Sequence, residues 1–216
     1  ISGFVMFHSQ LQQRVTPGVF FKKRLIRIVP IYWSLTVLVA VAYLLLPALF
    51  RVLQVTTSWT LSSLAFLSWW WNGSQPLLYV GWTLEWEMAF YLLFALSLAA
   101  KSLRVQMSVL VAGLALLALY SGYLIVIEFL FGIIAAYIYY YHKPTAATGW
   151  LLVIVGIALL LVTLQSQYRM LVMELGVQRV LHWGVPALLI VLGVSLIQQF
   201  KCGWLHYLGH ASYSIY

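Results

Sequence analysis

Gly81-Trp82-Thr83-Leu84-Glu85-Trp86-Glu87-Met88-Ala89-Phe90-Tyr91 opens a long apolar stretch that runs on to Ala100. It holds two of the four acidic residues in the chain. A carboxylate inside a membrane-length helix costs about 3 kcal/mol on insertion scales, so it persists where it faces a cavity or a partner. Glu87 carries that reading and is the first candidate for a functional group. Glu85 fits better as a carboxylate parked at the membrane surface.

Composition sets the class. Hydrophobic residues make up 64% of the chain and charged residues 7%, where a soluble domain carries about 25% charged residues. The apolar runs are of helical length, and the alternating pattern of an outer-membrane barrel is absent. The expected fold is all-α, a polytopic transmembrane helix bundle forming one integral-membrane domain over residues 1–216. A net charge of +8 would suit nucleic acid in a soluble protein. Here the cations sit in short links between apolar spans, which is a topology signal with membrane lipid as the partner and no nucleic acid. The lone Cys202 excludes an internal disulfide.

Working outward, Ile1–Phe7 reads as the tail of a helix whose beginning is missing, with His8 solvated at its exit. Ser9–Arg27 reads as a polar loop ending in Lys22, Lys23, Arg24 and Arg27, with Pro30 in the first turn of the span that follows. Spans are expected over Ile28–Phe50, Trp82–Ala100, Val105–Tyr120, Tyr123–Tyr141, Trp150–Leu164 and Leu181–Phe200, with another begun at Trp204–Tyr216. Pro47 is expected to kink or end the first of these. Thr60–Trp71, about twelve residues, is too short to cross and reads as a re-entrant or surface helix. Its Trp69-Trp70-Trp71 end reads first as an interfacial anchor, with a sugar-stacking platform as the sharper alternative. Gln165–Val180, with Arg169, Glu174 and Arg179, suits an amphipathic segment lying on the membrane.

Counting sides tests this map. With the Lys22 link in the cytoplasm, Arg14, Lys22, Lys23, Arg24, Arg27, Lys101, Arg104, Lys143 and Lys201 lie inside, and Arg51, Arg169 and Arg179 lie outside. Making Thr60–Trp71 a crossing would spoil that inside excess of cations.

Arg24 and Arg27 share one face if helical, and two guanidinium forks there suit phosphates or a carboxylate. A stop-transfer anchor explains the same residues equally well. No metal-ligand spacing, nucleotide-binding glycine loop or nucleophile elbow is present. His206 and His210 share a helix face without acidic neighbours and read as solvated. Gly132 and Ala136 read as helix packing. Glu128, inside Tyr123–Tyr141, reads as a buried structural hydrogen bond to a neighbouring helix.

Phe20-Phe21-Lys22-Lys23-Arg24-Leu25-Ile26-Arg27-Ile28-Val29-Pro30-Ile31-Tyr32-Trp33 resembles the basic motif of the membrane acyltransferase 3 family. Trp82-Thr83-Leu84-Glu85-Trp86-Glu87-Met88-Ala89-Phe90-Tyr91 resembles its W-S-L-x-x-E-x-x-F-Y signature, with the glutamate on Glu87 and Glu85 at a variable position. Ile1–Phe4 and Leu208–Tyr216 are similar to the family's second and ninth helices, and the wording around Gly81 and Trp183 is most similar to its exopolysaccharide-production branch. The resemblance implies a bundle of about ten helices, of which about seven fall here, with the chain truncated at both ends. It implies transfer of an acyl group, usually acetyl, from cytoplasmic acyl-CoA to a sugar hydroxyl of an exopolysaccharide, another cell-surface glycan or a lipid-linked sugar, in the bacterial inner membrane. No cofactor is expected to be resident, since acyl-CoA is a donor substrate. Glu87 is implied as catalytic, with Arg24 and Arg27 on the donor phosphates and Tyr91 lining the pocket. The family's catalytic His belongs to a helix before Ile1, so these 216 residues alone are expected to be inactive. Glu85→Gln is expected to be mild. A transporter or flippase for a lipid-linked glycan, using Glu87 as a proton relay, is the competing class, and an inactive remnant is a third.

Overall fold

The computed structural model describes residues 1–46, 55–142, 144–165 and 176–197. The regular elements among them are helical: α1 Ser2–Gln12, α2 Pro17–Leu45, α3 Thr57–Leu64, α4 Ser68–Asn72, α5 Gly81–Ser97, α6 Leu103–Ser121, α7 Glu128–Tyr141, α8 Ala146–Gln165, α9 Val177–Arg179 and α10 Val185–Leu196. A tight turn, Leu124–Ile127, leads into α7, and a widened π turn, Val180–Gly184, joins α9 to α10. The all-α membrane bundle expected from composition is the observed class. Among the described residues, five stretches are long and apolar enough to cross a membrane: Pro17–Leu45, Leu103–Ser121, Leu124–Tyr141, Ala146–Leu164 and Val177–Leu196.

The chain forms two compact units, one over Arg14–Leu117 and one over Ile1–Gln13 with Ala118–Tyr216. In the first, α2 packs against α5 and α3. It starts at Pro17, preceded by an extended Thr16, and runs unbroken for 29 residues. The basic group expected in a loop is therefore helical. Pro30 lies within the helix rather than in its first turn. A proline there removes one backbone hydrogen bond, and the Ser34 hydroxyl donates to the Pro30 carbonyl at 2.7 Å. Gly81 lets α5 approach α2 closely, since a Cβ there would sit 2.6 Å from Tyr32 Cε2.

The expected short segment Thr60–Trp71 is two helices, α3 and α4, broken at Phe66. Thr56 starts α3 by accepting from the Trp59 amide at 3.2 Å. Phe66 has φ +59°, a strained conformation for a residue with a side chain. It is held by backbone bonds from Phe66 N to Ser63 O (3.1 Å) and Leu67 N to Ser62 O (2.8 Å). The Tyr32 ring stacks on Phe66 at 4.6 Å, and Trp33 Nε1 donates to Leu64 O at 2.8 Å. These bonds fasten the turn to the middle of α2.

In the second unit α1 packs on α7, and α10 packs on α8 and α7. Glycines set these distances. Gly132 lies where a Cβ would meet Phe4 N at 2.6 Å, and one on Gly193 would meet Gly149 O at 2.6 Å. Ala136 is fully buried, so the expected packing role of Gly132 and Ala136 holds. Two other expectations change. His8 lies inside α1, half-buried, stacked on Phe4 at 5.8 Å and edge-on to Tyr139 at 5.4 Å, not solvated at a helix exit. Glu128 begins α7 and forms an ion pair with Arg179 at 3.6 Å rather than a structural hydrogen bond. Arg179 belongs to a helix that begins at Val177. Pro47, Arg51, Lys143, Arg169, Glu174, Trp204–Tyr216 with His206 and His210, Lys201 and Cys202 lie outside the described residues.

Candidate active site

Glu87, Tyr91 and Phe94 fall at i, i+4 and i+7 of α5 and so share one face. The Tyr91 hydroxyl donates to Glu87 Oε1 at 2.6 Å, the length of a charge-assisted O–H to carboxylate bond. Phe20 and Arg24, four apart on α2, meet this face. Phe20 lies 5.0 Å from Phe94 and 6.2 Å from Tyr91, ring to ring. The Arg24 guanidinium lies 5.5 Å from the Phe20 ring centre and 5.9 Å from that of Tyr91. Two aromatic faces attract a cation at these distances.

The fold thus brings Arg24, Tyr91 and Glu87 together from residues far apart in the chain. Tyr91 packs and hydrogen-bonds at once, since its ring is buried while its hydroxyl holds the carboxylate. Glu87 is half-buried, and Arg27, one turn past Arg24, is exposed.

Glu85 departs most from expectation. It is 3% exposed, not parked at a surface. Its Oε1 accepts from the Ser68 amide at 3.0 Å and its Oε2 from the Trp69 amide at 3.2 Å. Behind it, Ser63 Oγ accepts from Ser68 Oγ at 3.1 Å and from the Leu77 amide at 2.9 Å, and donates to Trp59 O at 2.8 Å. The cost of burying the carboxylate is offset by two backbone donors. A signal was present in the sequence: Glu85, Met88, Ala89 and Leu92 share a face, so a lone carboxylate sits on an apolar stripe. That pattern calls for a buried partner, although it cannot say which.

This stripe lines a cleft of about 490 Å³ with Phe21, Leu25, Val29 and Trp33 of α2 and Leu64–Leu67 and Trp70. Trp69 and Trp70 pack on Trp86 at 6.5 and 5.6 Å, while Trp71 is exposed. Two of the three tryptophans therefore join α4 to α5, and Trp71 alone retains the geometry of an anchor or platform. Among the described residues, no three His, Cys, Asp or Glu side chains converge as metal ligands would.

The class of protein follows from comparison. The acyltransferase 3 family, described as an acyltransferase domain, matches residues 1–216, and the chain belongs to it. It is similar to the exopolysaccharide production protein ExoZ of Rhizobium meliloti (strain 1021), with 44% identity over 102 residues, 45% of this chain and 31% of that relative. The match therefore spans less than a third of ExoZ. No solved structure matches the chain.

Proposed function

We propose that the protein transfers an acyl group, acetyl in the first instance, from cytoplasmic acyl-CoA to a sugar hydroxyl of an exopolysaccharide or another cell-surface glycan, at the bacterial inner membrane. The observation that carries this reading is the grouping of Arg24, Tyr91 and Glu87 where α2 meets α5, on the two motifs through which the chain resembles its family. A guanidinium held within 6 Å of two ring centres keeps its N–H fork in one place, which suits the phosphates of the donor. Arg27, exposed on the same helix, adds a second cation to that approach.

In the reaction, the sugar hydroxyl oxygen bonds to the thioester carbonyl carbon, the carbon–sulfur bond breaks, and the thiolate leaves. A general base takes the hydroxyl proton and returns it to the sulfur. The resemblance assigns that base to a histidine. Glu87 would accept its N–H and favour the imidazolium formed in the transition state, as carboxylates do in catalytic triads. Tyr91 fixes the carboxylate rotamer through Oε1. A proton-coupled carrier of lipid-linked glycan would use Glu87 but would have no use for a stacked arginine beside it.

The test is glycan-bound acetate in a strain lacking the gene, complemented with the full-length protein or with Glu87→Gln. The unaltered protein restores acetate, and Glu87→Gln restores none at equal expression. Normal acetate with Glu87→Gln would remove Glu87 from the mechanism.

A further inference from the structure

We propose that Glu85 is a positioning residue of this site, resting on the acyl-transfer reading above. Its carboxylate holds the turn that opens α4, Leu67–Trp69, onto α5, and thereby sets both the Trp70 wall of the cleft and the placement of Glu87. The turn presents two successive backbone N–H groups, Ser68 and Trp69, to the two oxygens of one side chain. A carboxylate is the one side chain of this length with acceptors at both positions. Gln would accept at one and turn its own NH2 toward the other donor. Asp, one CH2 shorter, would reach at most one.

The position of this contact decides what it does. Glu85 and Trp86 hold α5 on the α4 side, through the amides and through the Trp69 and Trp70 rings. Phe20 and Arg24 hold α5 on the α2 side, through Tyr91 and Phe94. Glu87 lies between the two grips. Releasing the first lets the helix rotate about the second, and a side chain holding a general base loses rate steeply with small displacements. The same carboxylate keeps Trp70 against the cleft whose other walls are Leu25, Trp33 and Met88. Phe66, strained at φ +59°, gives the turn a conformation to relax toward once the carboxylate lets go.

The experiment uses the full-length protein with acetyl-CoA as donor and the deacylated exopolysaccharide of the producing strain as acceptor. Donor-binding sites are counted by titration, so that kcat is expressed per competent site. Glu85→Gln is expected to lower kcat per site about ten-fold while donor affinity stays unchanged. A merely structural tether would reduce the number of sites and leave kcat per site intact, and that result would overturn the proposal. So would full activity. Hydrogen exchange on the unaltered protein supplies an arm that needs no variant: the Ser68 and Trp69 amides should exchange far more slowly than that of Ser74. Equal rates would show that no clamp exists. Should Glu85→Gln not accumulate in membranes, Glu85→Asp and the exchange rates decide. Absence of acyl transfer by the unaltered protein would instead strike the functional reading, and slow exchange at Ser68 and Trp69 would still stand.

Discussion

Arg24 is held by the faces of Phe20 and Tyr91, so its contribution depends on shape as well as charge. Lysine keeps the charge but lacks the planar fork and stacks poorly. Arg24→Lys is expected to weaken acyl-donor binding about ten-fold, the scale of one lost charge-assisted bond or stack. Arg27→Lys, exposed, should weaken it less. Donor titration on the two purified variants checks this, and an unchanged affinity for Arg24→Lys would end the donor-site reading. At this scale the sequence was half legible. Glu87 and Tyr91 are four apart, and helical spacing alone puts them in contact. Glu85 is not legible in the same way, because its partners are 17 and 16 residues away, in another element. Local spacing carries no information about a bond of that kind.

Hydrophobic runs locate the expected spans that become α2, α6, α7, α8 and α10, whereas the one expected over Trp82–Ala100 is α5, whose 17 residues are not among the five stretches long enough to cross; the ends differ wherever charge or proline reads as a stop. The sequence reads the basic group Lys22–Arg27 as a loop, yet lysine and arginine are good helix formers, and packing of Phe20 and Arg24 on α5 carries the helix back to Pro17. Pro30 reads as a first-turn residue because a proline inside a helix costs about 3 kcal/mol; the membrane-length apolar face of α2 outweighs that cost. The contact that closes α2 on α5 is Gly81 against Tyr32. Gly81→Ala forces a methyl group to within 2.6 Å of a ring that is 2% exposed. The expected loss is about 1–3 kcal/mol, as for other overpacked cores. It would be read as earlier thermal unfolding in detergent, partly restored by adding Tyr32→Leu. Unaltered unfolding with Gly81→Ala alone would mean that the ring swings clear at no cost.

Across the molecule, large apolar side chains point outward in numbers a water-facing surface would not carry: Leu38, Leu116, Ile154 and Val162 are each more than 60% exposed. Such faces belong against lipid. The map of sides then makes a prediction across α5, whose 17 residues span about 26 Å and continue in tight turns to Ala100. In a Cys202→Ser background, cysteines at Ser74 and Ser102 should react with a membrane-impermeant maleimide from opposite sides, Ser102 from the cytoplasm. Labelling of both from one side would show that α5 does not cross. A last consequence belongs to α2. Nine residues, about 13 Å of helix, separate Arg24 from Trp33, whose indole holds the carbonyl of Leu64. A continuous rod between them works as a lever arm: a tilt that brings one end toward a bound anion must displace the other, and with it the roof over the cleft. The missing rung at Pro30 is where that lever flexes most easily, so the stiffness of one proline-containing turn sets how faithfully motion at one end is felt at the other.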